Sequence, residues 1–354
     1  MKKCCFIVPY FGKLPNYFQL FLNSCATNKN YDWLLLTDDS SNYKYPTNVT
    51  RVLTSFENII QLFTQKLEMQ VALPNPYKLC DYKPAYGFLF SEYITDYQFW
   101  GHGDIDTILG DLDAFITDDL LEEFDKIFCL GHLILYRNTP EVNRAFMTDG
   151  HYRHIFTNPE IKYFDEVPLS KDKITIDELM EKNHLKVFKD SFLMDVYIFN
   201  TLFRRVKYEC SIDQHVLEKT KKALYVWQNG KIWRYYINAY KELTKEEFIY
   251  IHLQKREMKM LIDPNIETSS FKIVPNAFME LKHEPVTVEN FKHEKKMHID
   301  GSLLKLLITR QFIHFVGFLY ALYKGINPLK VEIVQYNFIN WNPHIWKWIK
   351  YIPK

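Results

Sequence analysis

The sequence predicts an α/β fold in which a mostly parallel central sheet is flanked by helices, followed by a partly helical C-terminal extension. Two short runs, CCFIVPY and YDWLLLTDD, are apolar nearly throughout, which is typical of strands covered on both faces. The segment between them has helical spacing, so strand, helix and strand form a right-handed βαβ unit. With 354 residues, 47% hydrophobic and 25% charged, the chain has the composition of a folded protein.

The elements before residue 115 follow one another in the order of a nucleotide-binding domain. After the first strand, the apolar spacing predicts a helix over residues 16–27, and the second strand is followed by a third at 49–53. Ser55 is typical of a helix N-cap and predicts a helix over 56–67. The segment KLCDYKPAYGFLFSEYI reads as a helix or helix pair with Pro84 in a first turn, and YQFWGHGDID as the next strand. This order predicts half of a doubly wound domain.

The later elements divide the chain into two predicted domains, 1–262 and 263–354. The stretch ALYVWQNGKIWRYY predicts a β-hairpin with Asn229 and Gly230 as its turn. An apolar strand over 248–251 ends the first domain, and a helix over 303–323 dominates the second.

The charge balance and the cysteine content indicate which partners and which cellular compartment to expect. Lys and Arg number 44 against 43 acids, a net charge of +1, so no overall field favours nucleic acid as a partner. The six cysteines form no CxxC pair, which favours buried free thiols in a reducing, cytoplasmic compartment. The N-terminal apolar run is interrupted by Pro9, which favours a first strand over a signal peptide, and no run reaches the length of a membrane helix.

The stretch FWGHGDIDTILGDL places acids directly after a predicted strand. On extended backbone, residues two apart project to the same side, so Asp104 and Asp106 aim their carboxylates at one point. Such hard oxygen ligands suit Mg²⁺ or Mn²⁺, which bind a few carboxylates together with substrate phosphates. The competing interpretation is an acidic loop that faces water, and the triplet DLD at 111–113 shows that the pattern recurs.

The combination of KPAYG, FWGHGDIDTILGDL and IHLQKR resembles a family of bacterial GT-A-fold glycosyltransferases found with polysaccharide biosynthesis genes. The resemblance covers most of residues 1–260. It implies a GT-A-type, Rossmann-like catalytic domain over 1–262 that takes a nucleotide sugar, with UDP-hexose as the expected donor. It also implies that Asp104 and Asp106 hold Mn²⁺, or Mg²⁺, against the donor diphosphate. The expected role is capsule or lipopolysaccharide assembly.

The same resemblance implies roles for four further residues. His252, at the end of a predicted strand, would be a third metal ligand, and imidazole favours Mn²⁺ over Mg²⁺. Lys255 and Arg256 would neutralise the diphosphate, and Lys83 would lie near the donor sugar or phosphates. The alternatives are a structural histidine and a solvated lysine.

The nucleotide base is expected at the carboxyl ends of the first two strands. Candidate contacts are Pro9, Tyr10 and Phe11 in the first loop, and Asp38 and Asp39 after the second strand. The two aspartates could equally cap the following turn.

The expected reaction moves a glycosyl group to a hydroxyl of a glycan or lipid-linked acceptor. An inverting enzyme needs a carboxylate base, for which Asp149, Asp190 and Asp195 are candidates, whereas a retaining enzyme does not. If KDSFLMDVYIFN forms a helix, Asp190 and Asp195 lie about a turn and a half apart, so at most one of them faces a given site.

The C-terminal stretch INWNPHIWKWIKYIPK interleaves tryptophans with lysines. This pattern favours either peripheral contact with the inner face of the plasma membrane or a helix that docks on the catalytic domain. Two other function classes stay open for the whole chain, a metal-dependent phosphoesterase and a non-catalytic carbohydrate-binding protein.

Overall fold

The structure is a computed structural model. It describes the chain from residue 2 to 353 with gaps, and the residues described are 2–165, 174–190, 192–196, 203, 205–209, 214–218, 223–254, 256, 258–265, 270–327, 329, 331–335 and 350–353. The chain packs as two compact units, Met1–Phe192 and Leu193–Lys354. The boundary between these two units, after Phe192, lies N-terminal to the domain boundary that the sequence predicts after residue 262.

The first unit alternates strands and helices, as the sequence predicts. Its strands are β1 (Lys2–Pro9), β2 (Tyr31–Thr37), β3 (Val49–Leu53), β4 (Tyr97–Gly103), β5 (Thr107–Leu109), β6 (Lys126–Ile127), β7 (Leu133–Arg137) and β8 (Val187–Phe188). Its helices are α1 (Phe18–Thr27), α2 (Phe56–Leu67), α3 (Tyr86–Leu89), α4 (Asp118–Glu123), α5 (Pro140–Arg144), α6 (His151–Thr157) and α7 (Ile176–Lys182). Three 3₁₀ helices span Pro76–Ala85, Ser91–Tyr93 and Ala145–Gly150. The segment around Pro84 is therefore mostly 3₁₀ rather than α-helical.

One mixed sheet organises this unit, with strand order β3-β2-β1-β4-β7-β6-β8. The first four strands are parallel, in the order expected for half of a doubly wound domain. Beyond β4 the sheet is mixed, because β7 runs antiparallel to both β4 and β6. The short connection from Ile127 to Leu133 permits only antiparallel neighbours, since a parallel pair needs a long crossover. The α/β class is confirmed; four of the six strand pairings in this sheet are parallel and the two made by β7 are antiparallel, so the sheet is mixed.

Local signals account for the predicted helices of this unit. The Ser55 hydroxyl accepts the Asn58 backbone N–H at 3.1 Å and so caps α2. In α1, the predicted apolar side is buried, with Phe18, Leu22 and Cys25 fully inaccessible. Burial of these faces against the sheet stabilises both helices more than propensity alone would.

Position 101 in β4 requires a glycine, because two neighbouring groups approach its backbone closely. A Cβ atom at Gly101 would lie 2.6 Å from the Ile134 carbonyl oxygen and 2.7 Å from the Phe6 ring. A Cβ at Gly103 would meet only ordinary contacts, with Leu133 Cδ1 at 3.4 Å. The close approach at Gly101 is thus an approach within the sheet.

Gly101→Ala is expected to destabilise the protein by about 1–3 kcal/mol, because the new methyl group overpacks the sheet. Gly103→Ala is the matched control in the same strand and should change stability by no more than about 0.5 kcal/mol. Urea denaturation of both variants measures the difference. Equal stabilities would contradict the packing role of Gly101.

The second unit is rich in strands. They are β9 (Met194–Val196), β10 (Arg205–Glu209), β11 (Gln214–Leu217), β12 (Ala223–Gln228), β13 (Lys231–Ile237), β14 (Leu243–Phe248), β15 (Tyr250–His252), β16 (Lys259–Met260), β17 (Ser270–Val274), β18 (Ala277–Met279), β19 (Val331–Gln335) and β20 (Lys350–Pro353). Its helices are α8 (Val288–Glu294) and α9 (Gly301–Tyr323). The helix predicted over 303–323 is therefore confirmed.

A six-stranded sheet of order β14-β13-β12-β17-β18-β16 forms most of this unit's described core. The predicted hairpin is confirmed as β12 and β13, and its turn residues Asn229 and Gly230 both have positive φ, 49° and 80°. The strand expected over 248–251 is divided, since β14 ends at Phe248 and β15 begins at Tyr250. A separate parallel pairing of β15 with β9 sets His252 opposite Asp195.

Among the described helices, none combines the length and hydropathy needed to cross a bilayer. The predicted membrane or docking segment around Trp341, Trp346 and Trp348 lies outside the described residues. Of the cysteines that the structure describes, all five are free thiols, and burial raises the pKa of the Cys5 thiol to about 12.

Candidate metal and nucleotide site

The acidic triplet lies in the tight turn that joins β4 to β5. The Asp104 backbone N–H donates to the His132 carbonyl at 3.0 Å, and the Thr107 hydroxyl donates to the Asp104 carbonyl at 2.7 Å. The Asp104 side chain is 33% exposed, whereas Asp106 is only 8% exposed. Backbone hydrogen bonds thus hold the triplet at the carboxyl end of β4, where a parallel sheet binds its ligands.

Lys83, from the KPAYG motif, contacts the first acid of the triplet. Its Nζ lies 2.9 Å from Asp104 Oδ1 and 3.2 Å from Asp165 Oδ2, and it donates to the Gly131 carbonyl at 2.8 Å. Burial alone would lower the pKa of Lys83, but the two carboxylates outweigh it and raise that pKa well above its ordinary value. The ammonium group therefore stays charged beside the triplet. The structure brings together two motifs that the sequence separates.

Asp165 is the residue of this cluster that sequence reasoning missed. Its side chain is 1% exposed, and apart from the ion pair with Lys83 neither carboxylate oxygen has a hydrogen-bond partner among the described residues. Burial raises the pKa of Asp165 to about 6, an effect that the Lys83 charge only partly offsets. No sequence motif surrounds Asp165, so only its burial identifies it.

The raised pKa of Asp165 predicts a specific pH dependence of stability. A carboxyl group whose pKa is higher in the folded state stabilises the fold fully below 3.8 and loses that contribution as the pH rises through about 6. The loss is expected to reach up to about 3 kcal/mol. Asp165→Asn should remove this part of the pH dependence, as measured by urea denaturation across that range without added metal. An unchanged profile would show that Asp165 titrates normally.

The loop after β1 lies at the same carboxyl edge of the sheet. Burial, followed by the charge of Asp106, raises the pKa of Tyr10 and of Tyr17, so both phenols lie within electrostatic reach of the triplet. Asp38 Oδ1 accepts the Gly12 N–H at 2.8 Å, and Asp39 Oδ2 accepts the Leu14 N–H at 3.2 Å. The two aspartates predicted to contact the nucleotide thus shape this loop.

Two further contacts define the predicted base-binding loop. Asp39 also accepts the Ser41 N–H at 2.7 Å, which is the turn-capping role considered as the alternative. Pro9 ends β1, and Phe11 is 7% exposed and packs against Phe56. In this loop, Tyr10 is the partly exposed aromatic residue at the edge of the sheet.

The second triplet, DLD at 111–113, has a structural setting. Asp113 accepts hydrogen bonds from Lys3 Nζ at 2.8 Å, Asn30 Nδ2 at 2.6 Å and the Tyr31 hydroxyl at 3.1 Å. Burial opposes ionisation of Asp113, but these donors lower its pKa. Asp111 Oδ1 accepts the Ala114 N–H at 3.3 Å. The two triplets share the Asp-x-Asp pattern and are distinguished by the groups that bind their carboxylates.

In the second unit, His252 is paired with a buried carboxylate. His252 Nδ1 lies 3.0 Å from Asp195 Oδ1, and Gln254 Nε2 donates to the same oxygen at 2.6 Å. Both side chains are less than a tenth exposed. When Nδ1 carries the proton, it donates to Asp195 and the lone pair is on Nε2, which is the arrangement of a metal-binding or proton-accepting histidine.

Residues 6–282 match a family of unknown function, DUF6625. The chain belongs to this family. No curated protein sequence matches it. The DUF6625 region contains Lys83, Asp104, Asp106, Asp165 and the pair of Asp195 with His252, and it ends before α8 and α9.

The remaining predicted residues of the DUF6625 chain have settings of their own. Asp149 is exposed and pairs with Lys182 at 2.7 Å, which lowers its pKa. Asp190 is exposed. Asp195 lies on strand β9, so the described part of KDSFLMDVYIFN around it is extended and not helical.

Of the two basic residues expected at the diphosphate, the structure describes one. Lys255 lies outside the described residues. Arg256 is 7% exposed, donates from Nη1 to the Pro275 carbonyl at 3.1 Å and lies over the Phe203 ring at 5.2 Å. Burial lowers the pKa of Arg256 to about 10. These contacts are those of a packing residue.

Two other groups of potential metal ligands each include a carboxylate that is paired with a lysine. In the group formed by Cys80, Asp81 and Asp165, Asp81 pairs with the buried Lys78 at 2.6 Å. In the group formed by His283, His293 and Glu294, Lys272 lies 2.9 Å from the Glu294 carboxylate.

Proposed function

We propose that this DUF6625 chain is a metal-dependent glycosyltransferase that moves a sugar from a nucleotide donor, with UDP-hexose expected, to a hydroxyl of a glycan or lipid-linked acceptor. The observation that carries the proposal is the acidic triplet at the carboxyl end of β4, with Lys83 paired to its first acid. The parallel order β3-β2-β1-β4 supports it, because such sheets bind nucleotides at this edge. The proposed setting is bacterial surface polysaccharide synthesis, such as capsule or lipopolysaccharide, on the cytoplasmic side of the membrane.

The residues at this edge fit a divalent cation held together with a diphosphate. Asp104 and Asp106 supply carboxylate oxygens, the ligand type that Mn²⁺ and Mg²⁺ accept. Lys83 takes up part of the negative charge of Asp104, so two carboxylates alone make a weak site and substrate phosphates would complete it. When bound, such a cation supplies Lewis-acid stabilisation to a departing nucleoside diphosphate.

The chain's own residues orient the candidate metal ligands and contact the donor in this proposal. Lys83 stays protonated and orients the Asp104 carboxylate, while Asp165 behind it fixes the position of the ammonium group. Tyr10 offers a partly exposed aromatic ring at the nucleotide edge. The resemblance adds His252 as a third ligand and Lys255 and Arg256 as diphosphate contacts, which remain expectations from the sequence. In its own unit, the hydrogen bond to Asp195 orients the His252 ring as a ligand requires.

Among the candidate acceptor bases, the contacts favour different roles. Asp195 already accepts two hydrogen bonds, from His252 and Gln254, and is better suited to orient the histidine than to remove a proton. Asp149 is held by Lys182 with a lowered pKa, which makes it a weak base. We therefore propose no base from Asp149 or Asp195; the exposed Asp190 is the candidate left for an inverting reaction, and a retaining reaction needs none.

Calorimetric titration of the full chain with UDP, in the presence and absence of Mn²⁺, tests the proposed function. Binding that requires Mn²⁺ supports it, and a panel of nucleotide sugars then identifies the donor by Mn²⁺-stimulated hydrolysis. Indifference to UDP and to other nucleoside diphosphates would overturn it in favour of a carbohydrate-binding protein. Metal-dependent hydrolysis of simple phosphate esters would instead assign a phosphoesterase.

A further inference from the structure

Helix α9 exposes a continuous row of large apolar side chains. The row repeats every three or four residues, which places its members on one face of the helix. Its members, with their exposed fractions, are Leu304 (59%), Ile308 (61%), Phe312 (46%), Phe315 (61%), Leu319 (48%) and Leu322 (53%). At about 1.5 Å per residue this apolar face is about 27 Å long. Soluble proteins seldom expose so long an apolar row without a partner.

The C-terminal half of α9 is covered on the opposite side. Gly317 and Ala321 are buried, and Val316 and Tyr320 are half-buried. At 100° per residue, Gly317 and Ala321 point away from the middle of the apolar face. Among the side chains of α9 that the structure describes, the buried ones therefore lie opposite the apolar face, whose members are exposed.

The sequence of α9 contains cations and no acidic residue. From residue 301 to 331 there is no Asp or Glu, the nearest acids being Asp300 and Glu332, while the exposed Lys305 and Lys324 are cationic. A second copy of the chain on this face would bring like charges together. An anionic lipid surface, in contrast, satisfies both the apolar row and the cations.

After Glu332 the sequence again combines apolar and cationic residues. Residues 333–354 contain no acidic residue, and they include three tryptophans together with Lys347, Lys350 and Lys354. Aromatic and cationic residues of this kind concentrate at the headgroup level of bilayers. This region lies beyond the residues that match DUF6625.

We propose that α9 binds in the plane of an anionic membrane leaflet through the face of Leu304, Ile308, Phe312, Phe315, Leu319 and Leu322. The apolar side chains enter the acyl boundary, and the flanking cations contact the acidic headgroups. Binding requires neither nucleotide nor divalent metal, so it can hold or fail independently of the proposed glycosyl transfer. If that function holds, the membrane face would bring the enzyme to a lipid-linked acceptor.

Co-sedimentation of the full chain with lipid vesicles tests this proposal. The vesicles contain phosphatidylcholine alone or phosphatidylcholine with phosphatidylglycerol. The double variant Ile308→Glu/Phe315→Glu should bind the anionic vesicles at least about tenfold more weakly than the unmodified chain. Ile308→Ser/Phe315→Ser removes the apolar groups without adding charge and should also weaken binding. High salt should reduce binding of the unmodified chain.

The matched control is Leu53→Glu/Tyr240→Glu, which adds the same two charges at exposed apolar positions elsewhere in the chain. It should bind vesicles as the unmodified chain does, and circular dichroism should show all variants folded. Equal binding of the control and the α9 variants, or no binding by the unmodified chain, would overturn the proposal. A dimer that the α9 variants convert to monomers would also overturn it, by assigning the face to a second copy.

Discussion

Asp106→Asn is expected to lower the kcat/KM for Mn²⁺-dependent turnover of a nucleotide sugar by at least about a thousandfold. The substitution keeps the shape of a side chain that is 8% exposed but removes its charge. A neutral amide oxygen cannot balance a divalent cation and a diphosphate at the carboxyl end of β4. Turnover is measured at saturating Mn²⁺, and Mn²⁺-dependent UDP binding is measured alongside by calorimetry.

The control for this prediction comes from the second triplet. Asp111→Asn makes the same chemical change in an identical Asp-x-Asp pattern, at a residue whose Oδ1 accepts a backbone N–H within its own turn. It should leave UDP binding and turnover within about a factor of two to three of the unmodified enzyme, as expected for a substitution outside the candidate site. Full activity of Asp106→Asn would remove the case for a metal site at β4.

Much of the first unit could be predicted because its signals are local. The apolar runs of β1 and β2, the Ser55 cap of α2 and the spacing in α1 each depend on residues within a few positions of one another. The hairpin turn at Asn229 and Gly230 is local in the same way. The mixed half of the sheet could not be predicted, because β7 pairs with β4, a neighbour that lies far from it in sequence.

In the candidate site, too, some features follow from local sequence and others depend on residues far apart in the chain. The sequence identified Asp104 and Lys83 separately, but their contact joins residues 21 positions apart. Asp165 has no sequence signal at all, since its significance comes from burial of a carboxylate next to Lys83. The two acidic triplets read alike in sequence, and only the donors around Asp113, including Lys3, show that one of them is structural. Long-range burial and pairing, which a linear pattern does not encode, decide these roles.

Lys83→Met is expected to destabilise the protein by about 3–5 kcal/mol at neutral pH, because it leaves the buried Asp165 without its counter-charge. The unpaired carboxyl group must then be protonated, so its folded-state pKa rises further above the 3.8 of an ordinary aspartate. The sign of this shift means that the destabilisation grows as the pH rises and is smaller in acid. Urea denaturation at acidic and neutral pH measures both the size of the effect and its direction.

The double variant Lys83→Met/Asp165→Asn separates stability from function. It removes the buried charge together with its partner, so the free energy of unfolding at neutral pH should return to within about 1 kcal/mol of the unmodified protein. Activity should not return, because Asp104 still lacks the ammonium group 2.9 Å from its Oδ1. Failure of the double variant to regain stability would contradict the buried charge as the cause. Recovery of full turnover in the double variant would show that Lys83 serves only to neutralise Asp165 and does not act on the donor.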